Sequence, residues 1–367
     1  MKNIAVFYGG VSVEHDVSVI TGVLVVNALS KEKYNAIPIY VSKSGKWYTS
    51  EKLKDIECYK NLDFKKLAQV TMIAGDNKLY LVKGKKVKEL HSISVAVNCM
   101  HGERGEDGSL AGLLNMCAVP LASPDMLASA VCMDKAFTKT VMKGLGIKTL
   151  PFVVIKDISE CESKCNSLGY PLIVKPCSLG SSIGVKRVND TAELLSAVTS
   201  AFRFGEKVII EPCLEDFIEI NCAVYRDSSG EIKVSECEKP MGNSKVLSFD
   251  DKYKNGKREF PADIDKRSSE KIKQITAKAY EGVFLEGVVR IDYFLCGKAV
   301  YLNEVNTVPG SLAYYLFENT VSGFAKILSR LIDRAERKFN QNTTLQKTFN
   351  TTILNIKGAK GKNTCKS

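Results

Sequence analysis

The sequence predicts an α/β protein of three domains, and three observations carry that prediction. The chain has 367 residues, which at about 150 residues per domain allows two or three domains. Its first forty residues read strand, helix, strand. Further along, the same alternation returns and then gives way to a region dominated by strands. Residues 4–7 are a short apolar run stopped by Gly9 and Gly10, residues 17–29 carry a helical pattern, and residues 36–41 read as a second strand. That is the opening of a βαβ unit. Residues 79–82 and 93–100 read as strands, the second apolar enough to be buried on both faces. Residues 125–145 carry helical periodicity and stop at Gly146. A strand at 152–155, a helix at 159–168 and a strand at 172–174 follow. Strands are then expected at 208–210, 218–225, 232–236, 288–295 and 299–304, with helices at 268–281 and 324–338. The domains predicted are 1–122, 123–210 and 211–357, with 358–367 as a flexible tail of Lys, Gly and polar residues.

Composition excludes several classes. Hydrophobic residues make up 45% and charged residues 25%, an ordinary globular balance. No apolar run reaches the roughly 18 residues a membrane helix needs, and the N-terminus is broken too soon by glycines to read as a signal peptide. No membrane partner is expected. The net charge is +11, from 52 basic against 41 acidic residues. The lysines are scattered, with one run at 83–88, and no arginine stripe or interleaved aromatics accompany them. No nucleic-acid partner is expected either, and most of the charge reads as solvated surface lysine. Twelve cysteines include no Cys-x-x-Cys pair, and Cys99 beside His101 lacks a second pair to complete a zinc site. Cys161 and Cys165 are spaced to share a helix face, but two sulfurs make no metal site. Reduced thiols in a cytoplasmic protein are the expectation.

Four clusters carry chemistry. Gly9-Gly10-Val11-Ser12-Val13-Glu14-His15-Asp16-Val17-Ser18 follows the first strand, where a glycine pair lets backbone approach a small ligand; the same residues would also make a plain turn with Ser and Asp capping the helix. His101-Gly102-Glu103-Arg104-Gly105-Glu106-Asp107-Gly108 follows a buried strand and precedes a helix, the place where α/β folds build ligand sites. Its plain alternative is a flexible loop. Lys175 ends a strand, and Gly180-Ser181-Ser182-Ile183-Gly184 follows. Backbone N–H groups and hydroxyls there suit phosphate oxygens, although the Walker spacing is missing. The fourth cluster is the most specific. Arg290 and Asp292 share one face of a strand, as do Glu304 and Asn306 of the next. If those strands pair, Asp292, Glu304 and Asn306 converge as the all-oxygen set that Mg²⁺ prefers.

Taken in order, these clusters resemble the ATP-grasp superfamily and, within it, the D-alanine–D-alanine ligases. The matches include His101-Gly102 through Gly108, Met133-Asp134-Lys135, Val174-Lys175-Pro176 with Gly180-Ser181-Ser182, Arg290-Ile291-Asp292, and Asn306-Thr307 with Pro309-Gly310. The resemblance runs from residue 4 to about 335. It implies an ATP-grasp fold: an N-terminal Rossmann-like domain that binds substrate, then central and C-terminal domains that grip ATP between them.

The resemblance also implies roles. Lys135 and Lys175 would hold the ATP phosphates, with Ser182 in the loop that closes over them. The stretch from Glu211 to Leu214 would face adenine, although Cys213 stands where the family often has an aromatic, and Glu219 would meet the ribose. Asp292, Glu304 and Asn306 would bind two Mg²⁺ ions, with Mn²⁺ as a substitute. Glu14, Ser181 and Tyr253 would surround the first D-alanine, with His101 near its carboxylate. Lys252 and Tyr253 would belong to a lid over residues 242–257. Arg290 and the Gly310 N–H would stabilise the oxyanion formed when an amine attacks an acyl phosphate. Tyr315 falls where the family carries a serine for the second substrate's carboxylate. The activity implied is D-alanyl-D-alanine synthesis for peptidoglycan precursors, with D-alanine–D-serine ligation as the alternative. Tyr253 speaks against D-lactate. Family members are often dimeric, so the resemblance allows a homodimer.

Overall fold

The computed structural model describes residues 1–241 and 257–351, and three sheets organise them. Strand β1 (Lys2–Gly9) is buried along six of its eight positions, as a strand covered on both faces must be. Helix α1 (His15–Ala28) crosses to β2 (Tyr34–Val41), which lies parallel to β1 with Ile4 opposite Ala36. The helix sits directly on the strand because Gly22 has no side chain; a Cβ there would lie 2.1 Å from the Tyr8 ring. Glu14 immediately precedes helix α1 and makes no side-chain cap. The expected Ser and Asp caps reduce to Ser12 Oγ, which accepts from the Glu14 N–H just ahead of the helix.

The sheet then grows by antiparallel additions: β3 (Trp47–Thr49), β4 (Ala68–Met72), β5 (Lys78–Lys83) and β6 (Lys86–Ser92). Strand β7 (Val95–Asn98) returns parallel to β1 on its other side, giving the order β6-β5-β4-β3-β2-β1-β7. The Rossmann-like expectation therefore holds for β2-β1-β7 with its crossover helix, and the rest is an antiparallel extension. Helix α2 (Ser109–Met116) follows.

The single helix expected over 125–145 is two, α3 (Met126–Met133) and α4 (Lys135–Gly144). Asp134 breaks it with an extended backbone, and its carboxylate accepts from the Ala136 and Phe137 N–H groups. That cap makes Lys135 the first residue of a helix. Strand β8 (Val153–Ile155), the short helix α5 (Cys161–Cys165), β9 (Leu172–Pro176), β10 (Lys186–Val188), α6 (Thr191–Ala201) and β11 (Val208–Pro212) complete an antiparallel sheet ordered β10-β9-β11-β8. The helix expected over 159–168 shrinks to α5 and a preceding turn. Cys161 and Cys165 are both buried free thiols. The described residues contain no group of three or more His, Cys, Asp or Glu side chains placed to hold a metal.

The third sheet contains β12 (Ile218–Arg226) and β13 (Ile232–Val234). A two-stranded ribbon follows, β14 (Lys239–Pro240) with β15 (Arg258–Glu259), and then α7 (Lys266–Gly282). Strands β16 (Val288–Cys296) and β17 (Ala299–Asn306) close the sheet in the order β13-β12-β16-β17. Along β16 the residues Val289, Ile291, Tyr293 and Leu295 turn into the core, while Arg290, Asp292 and Phe294 are half-buried on the opposite face. The period of two thus sorts core from site within one strand. Helix α8 (Val321–Thr343) then returns to the first sheet, where Phe324, Ile327 and Leu331 share a core with Ile4, Val6 and Val97. No described helix is long and apolar enough to cross a membrane.

Candidate active site

Between the second and third sheets lies a cleft of about 410 Å³, within the usual range for a small-molecule site. Lys135, Lys175, Ser182, Glu211, Leu214 and Glu219, all expected from sequence to meet a nucleotide, line this one cleft. Lys175, at the end of β9, donates to Glu211 Oε2 at 2.7 Å and to Asn303 Oδ1 at 3.3 Å. Lys135, at the start of α4, donates to the Leu179 carbonyl at 2.7 Å and stands 3.4 Å from Glu304. One lysine therefore holds the Gly/Ser loop and the other is held by a carboxylate.

Glu211 plays a part that sequence did not assign it. Its side chain is 1% exposed and sits 2.7 Å from both the Lys139 and Lys175 ammonium groups. Burial pushes its carboxyl up, but the two lysines outweigh that and hold it at about 2. Burial likewise pulls the Lys139 ammonium down, against the attraction of Glu211. The hinge after Glu211 is also more committed than expected, because the Cys213 N–H donates to the Pro171 carbonyl at 2.8 Å. The apolar lining that Cys213 lacks comes instead from Phe217 and Phe294, whose ring centroids are 4.8 Å apart on the cleft wall.

At one end of the cleft stand the acids of β16 and β17. Asp292 pairs directly with Glu304 across the strands, and Arg290 pairs with Asn306. The alternation expected from sequence is realised as a fork: Arg290 donates from Nε to Asp292 Oδ1 at 2.8 Å and from Nη2 to Oδ2 at 2.9 Å. Asn306 Nδ2 donates to Asp292 Oδ2 at 3.0 Å. Two carboxylates and an amide form an all-oxygen donor set that leaves positions for water and phosphate, which suits Mg²⁺.

A second cavity of about 520 Å³ opens beyond that wall, and Glu219, Asp292 and Glu304 line both spaces. Glu14, Ser181, Arg290, Gly310 and Tyr315 all border this second chamber. The Ser181 hydroxyl donates to Glu14 Oε1, joining the second sheet's loop to the first sheet's helix. Gly180 permits the approach, since a Cβ there would stand 2.9 Å from both Glu14 oxygens. Ser311 borders the chamber and opens a left-handed turn with the buried Leu312 and Ala313, φ being 53°, 49° and 45°, at a cost of roughly 1–2 kcal/mol per non-glycine residue.

His101 does not border the chamber. It is buried behind Thr21, whose Oγ1 lies 3.0 Å from His101 Nε2 and accepts from the Ser311 N–H at 3.0 Å. Burial depresses the imidazole to about 4, so it is neutral at physiological pH. Because the folded state refuses a proton that the unfolded chain binds below about 6.5, stability is present above that pH and is lost as pH falls toward 4, by roughly 3 kcal/mol in full. Denaturant titrations at about pH 7 and about pH 5 should show this slope in the wild type and a shallower one in His101→Gln. Equal slopes would remove His101 as its source. Lys252, Tyr253 and nearly all of the expected lid over 242–257 lie outside the described residues.

Some site residues escaped sequence reasoning. Lys139 follows Lys135 by one helical turn and read as solvated charge, yet it is buried. Glu106, inside the His101 motif, accepts from the Gly102 N–H at 2.8 Å and the Val308 N–H at 3.0 Å. It braces two loops of the chamber, and burial beside Glu14 raises it to about 8.

Two sheets closing on a lysine-lined cleft, with a wall of paired acids and an arginine, define an ATP-grasp enzyme. Residues 3–124 match the family model described as D-ala D-ala ligase N-terminus, and residues 141–333 match the D-ala D-ala ligase C-terminus. A D-alanine–D-alanine ligase of Thermosipho melanesiensis is 36% identical, over 98% of this chain and 100% of that protein. The solved D-alanine–D-alanine ligase of Coxiella burnetii is 26% identical with a TM-score of 0.79, covering 94% of this chain and 96% of that one. A D-Ala:D-Ser ligase of Enterococcus faecalis is 27% identical with a TM-score of 0.76, over 92% of this chain and 99% of that chain. The chain belongs to the D-alanine–D-alanine ligase family, whose members are ATP-dependent ligases.

Proposed function

We propose that the protein joins two D-alanines at the expense of ATP, through a D-alanyl phosphate, to supply a peptidoglycan precursor in the cytoplasm. The observation that carries this reading is the shared wall: Glu219, Asp292 and Glu304 border both the cleft and the second chamber. A phosphoryl group at the end of one space therefore meets a carboxylate at the edge of the other. An oxygen of the first D-alanine attacks the γ-phosphorus and ADP leaves. The second D-alanine's amine then attacks the acyl carbon, phosphate departs and the amine's proton is lost.

The chain's own groups serve each part. Lys135 and Lys175 hold phosphate charge, Ser182 caps it, Leu214 and the rings beside it face the base, and Glu219 meets the ribose. Glu14 and Ser181 orient the first D-alanine, and the family resemblance assigns Tyr253 and Lys252 to the same substrate. Thr21 carries His101's influence to its carboxylate. Two Mg²⁺ ions held by Asp292, Glu304 and Asn306 would neutralise charge on the phosphates. Arg290 and the Gly310 N–H stabilise the oxyanion. Tyr315 borders the place of the second substrate. Domains 1–122, 123–210 and 211–357 divide the work between amino acid and nucleotide. D-Serine is not favoured as second substrate, since the curated relatives are named D-alanine–D-alanine ligases.

The test is ADP release with Mg²⁺-ATP and D-alanine, alone and with D-serine or D-lactate, with products identified by mass. D-Alanyl-D-alanine from D-alanine alone is expected. A mixed dipeptide formed in preference would replace the second substrate, and no ADP with any D-amino acid would sink the reading.

A further inference from the structure

We infer that Arg258 receives the carboxylate of the second amino acid and so selects for it, an inference that rests on the ligase reading above. An acceptor amino acid brings a carboxylate into the second chamber, and an ionised carboxylate in a partly buried site needs matched donors. Arg290 is already committed, with Nε and Nη2 both given to Asp292. Tyr315 is a phenol and carries no charge to offer.

Arg258 stands on β15 at the rim of the same chamber as Arg290, Gly310, Ser311 and Tyr315. Its guanidinium carbon lies 4.4 Å from the centroid of the Tyr315 ring and 5.6 Å from that of Phe260. Its Nη1 donates to Glu238 Oε1 at 3.2 Å. Glu238 is buried and fixed in turn, accepting from Asn221 Nδ2 at 3.2 Å on its other oxygen. Backbone bonds between Asn221 and Glu238 hold both in place.

This arrangement orients a guanidinium without consuming it. A guanidinium has five N–H donors, and among the described residues Glu238 takes one of them. Its place over the Tyr315 ring gives a cation–π contact that helps hold it there. What remains is a planar fork, which matches a carboxylate in a way a lysine cannot. Lys257 also borders the chamber, but its contacts among the described residues are through the backbone, at its carbonyl. The phenol at position 315 thus acts as a platform for the arginine rather than as a donor to the substrate.

The test is an internal competition. D-Alaninamide has an amine but no carboxylate, so it serves only as acceptor. The enzyme is given D-alanine and D-alaninamide together with Mg²⁺-ATP, and the ratio of D-alanyl-D-alanine to D-alanyl-D-alaninamide is read by mass. Wild type should favour the acid strongly. Arg258→Met should lose about 10- to 100-fold of that preference, the loss expected for a hydrogen bond to a charged group. Arg258→Lys, which keeps charge without the fork, should fall between and carries the test should the methionine variant not fold. An unchanged ratio with lower total product would make Arg258 a structural clamp and overturn the inference. Absence of either dipeptide from wild type would instead overturn the ligase reading, and the inference with it.

Discussion

Glu211→Gln should destabilise the protein by about 3–5 kcal/mol, the cost of breaking a buried pair by removing one partner. The carboxylate lies 1% exposed between the Lys139 and Lys175 ammonium groups, 2.7 Å from each. An amide of the same shape carries no charge, so it leaves two buried cations with no anion between them. A second change makes the argument specific. Lys139→Met added to Glu211→Gln removes one stranded cation and should recover a substantial part of the loss, since apolar replacement of a buried ion pair is often neutral or better. Guanidinium titrations followed by circular dichroism would measure both. A double variant no more stable than the single one would show that the pair's charge is not what holds the second sheet. The single variant should also raise the KM for ATP, because Lys175 loses the partner that positions it.

Arg290→Lys should lower kcat by roughly 10²–10³, the range for loss of one oriented donor to a developing oxyanion. The KM for ATP should change less, because the two lysines that line the cleft, Lys135 and Lys175, stand on α4 and β9 rather than on β16. The physical reason is geometry. Arg290 spends two N–H groups on Asp292 and still faces the second chamber beside Tyr315. A lysine has one nitrogen and cannot meet both demands. Steady-state kinetics with D-alanine would measure the change. A kcat within a few-fold of wild type would mean that Arg290 orders Asp292 and does not touch the reacting atoms.

Sequence periodicity revealed what is local. The βαβ opening, the strand carrying Arg290 and Asp292, and the acids opposite them were all legible because a period of two or 3.6 writes burial into the chain. Strands β3, β4 and β6 were not. β3 and β4 are short, and β6 is charged and largely exposed, so hydrophobic alternation never marks it. Lys139 was lost for a related reason. Its burial depends on Glu211 from a distant strand, and nothing near it in sequence says that a carboxylate will arrive. His101 shows the opposite case. The motif was real, but the histidine's imidazole supports Thr21 and the Ser311 N–H instead of facing the cavity. Arg258 is isolated in sequence, and only folding sets it over Tyr315.

The bond from Ser181 to Glu14 spans 167 residues, and that from Ser311 to Thr21 spans 290. At roughly 5–20 residues per second on the ribosome, Glu14 emerges on the order of ten seconds or more before its partner exists. The first sheet needs no strand beyond Asn98 to pair, so it has the time to form while its face toward the chamber is still bare. Helix α8, which fills the same core as β1 and β7, comes later still. The chamber is therefore a late product of synthesis: its first wall is made early, and its substrate-binding shape exists only after nearly all the described chain has been released.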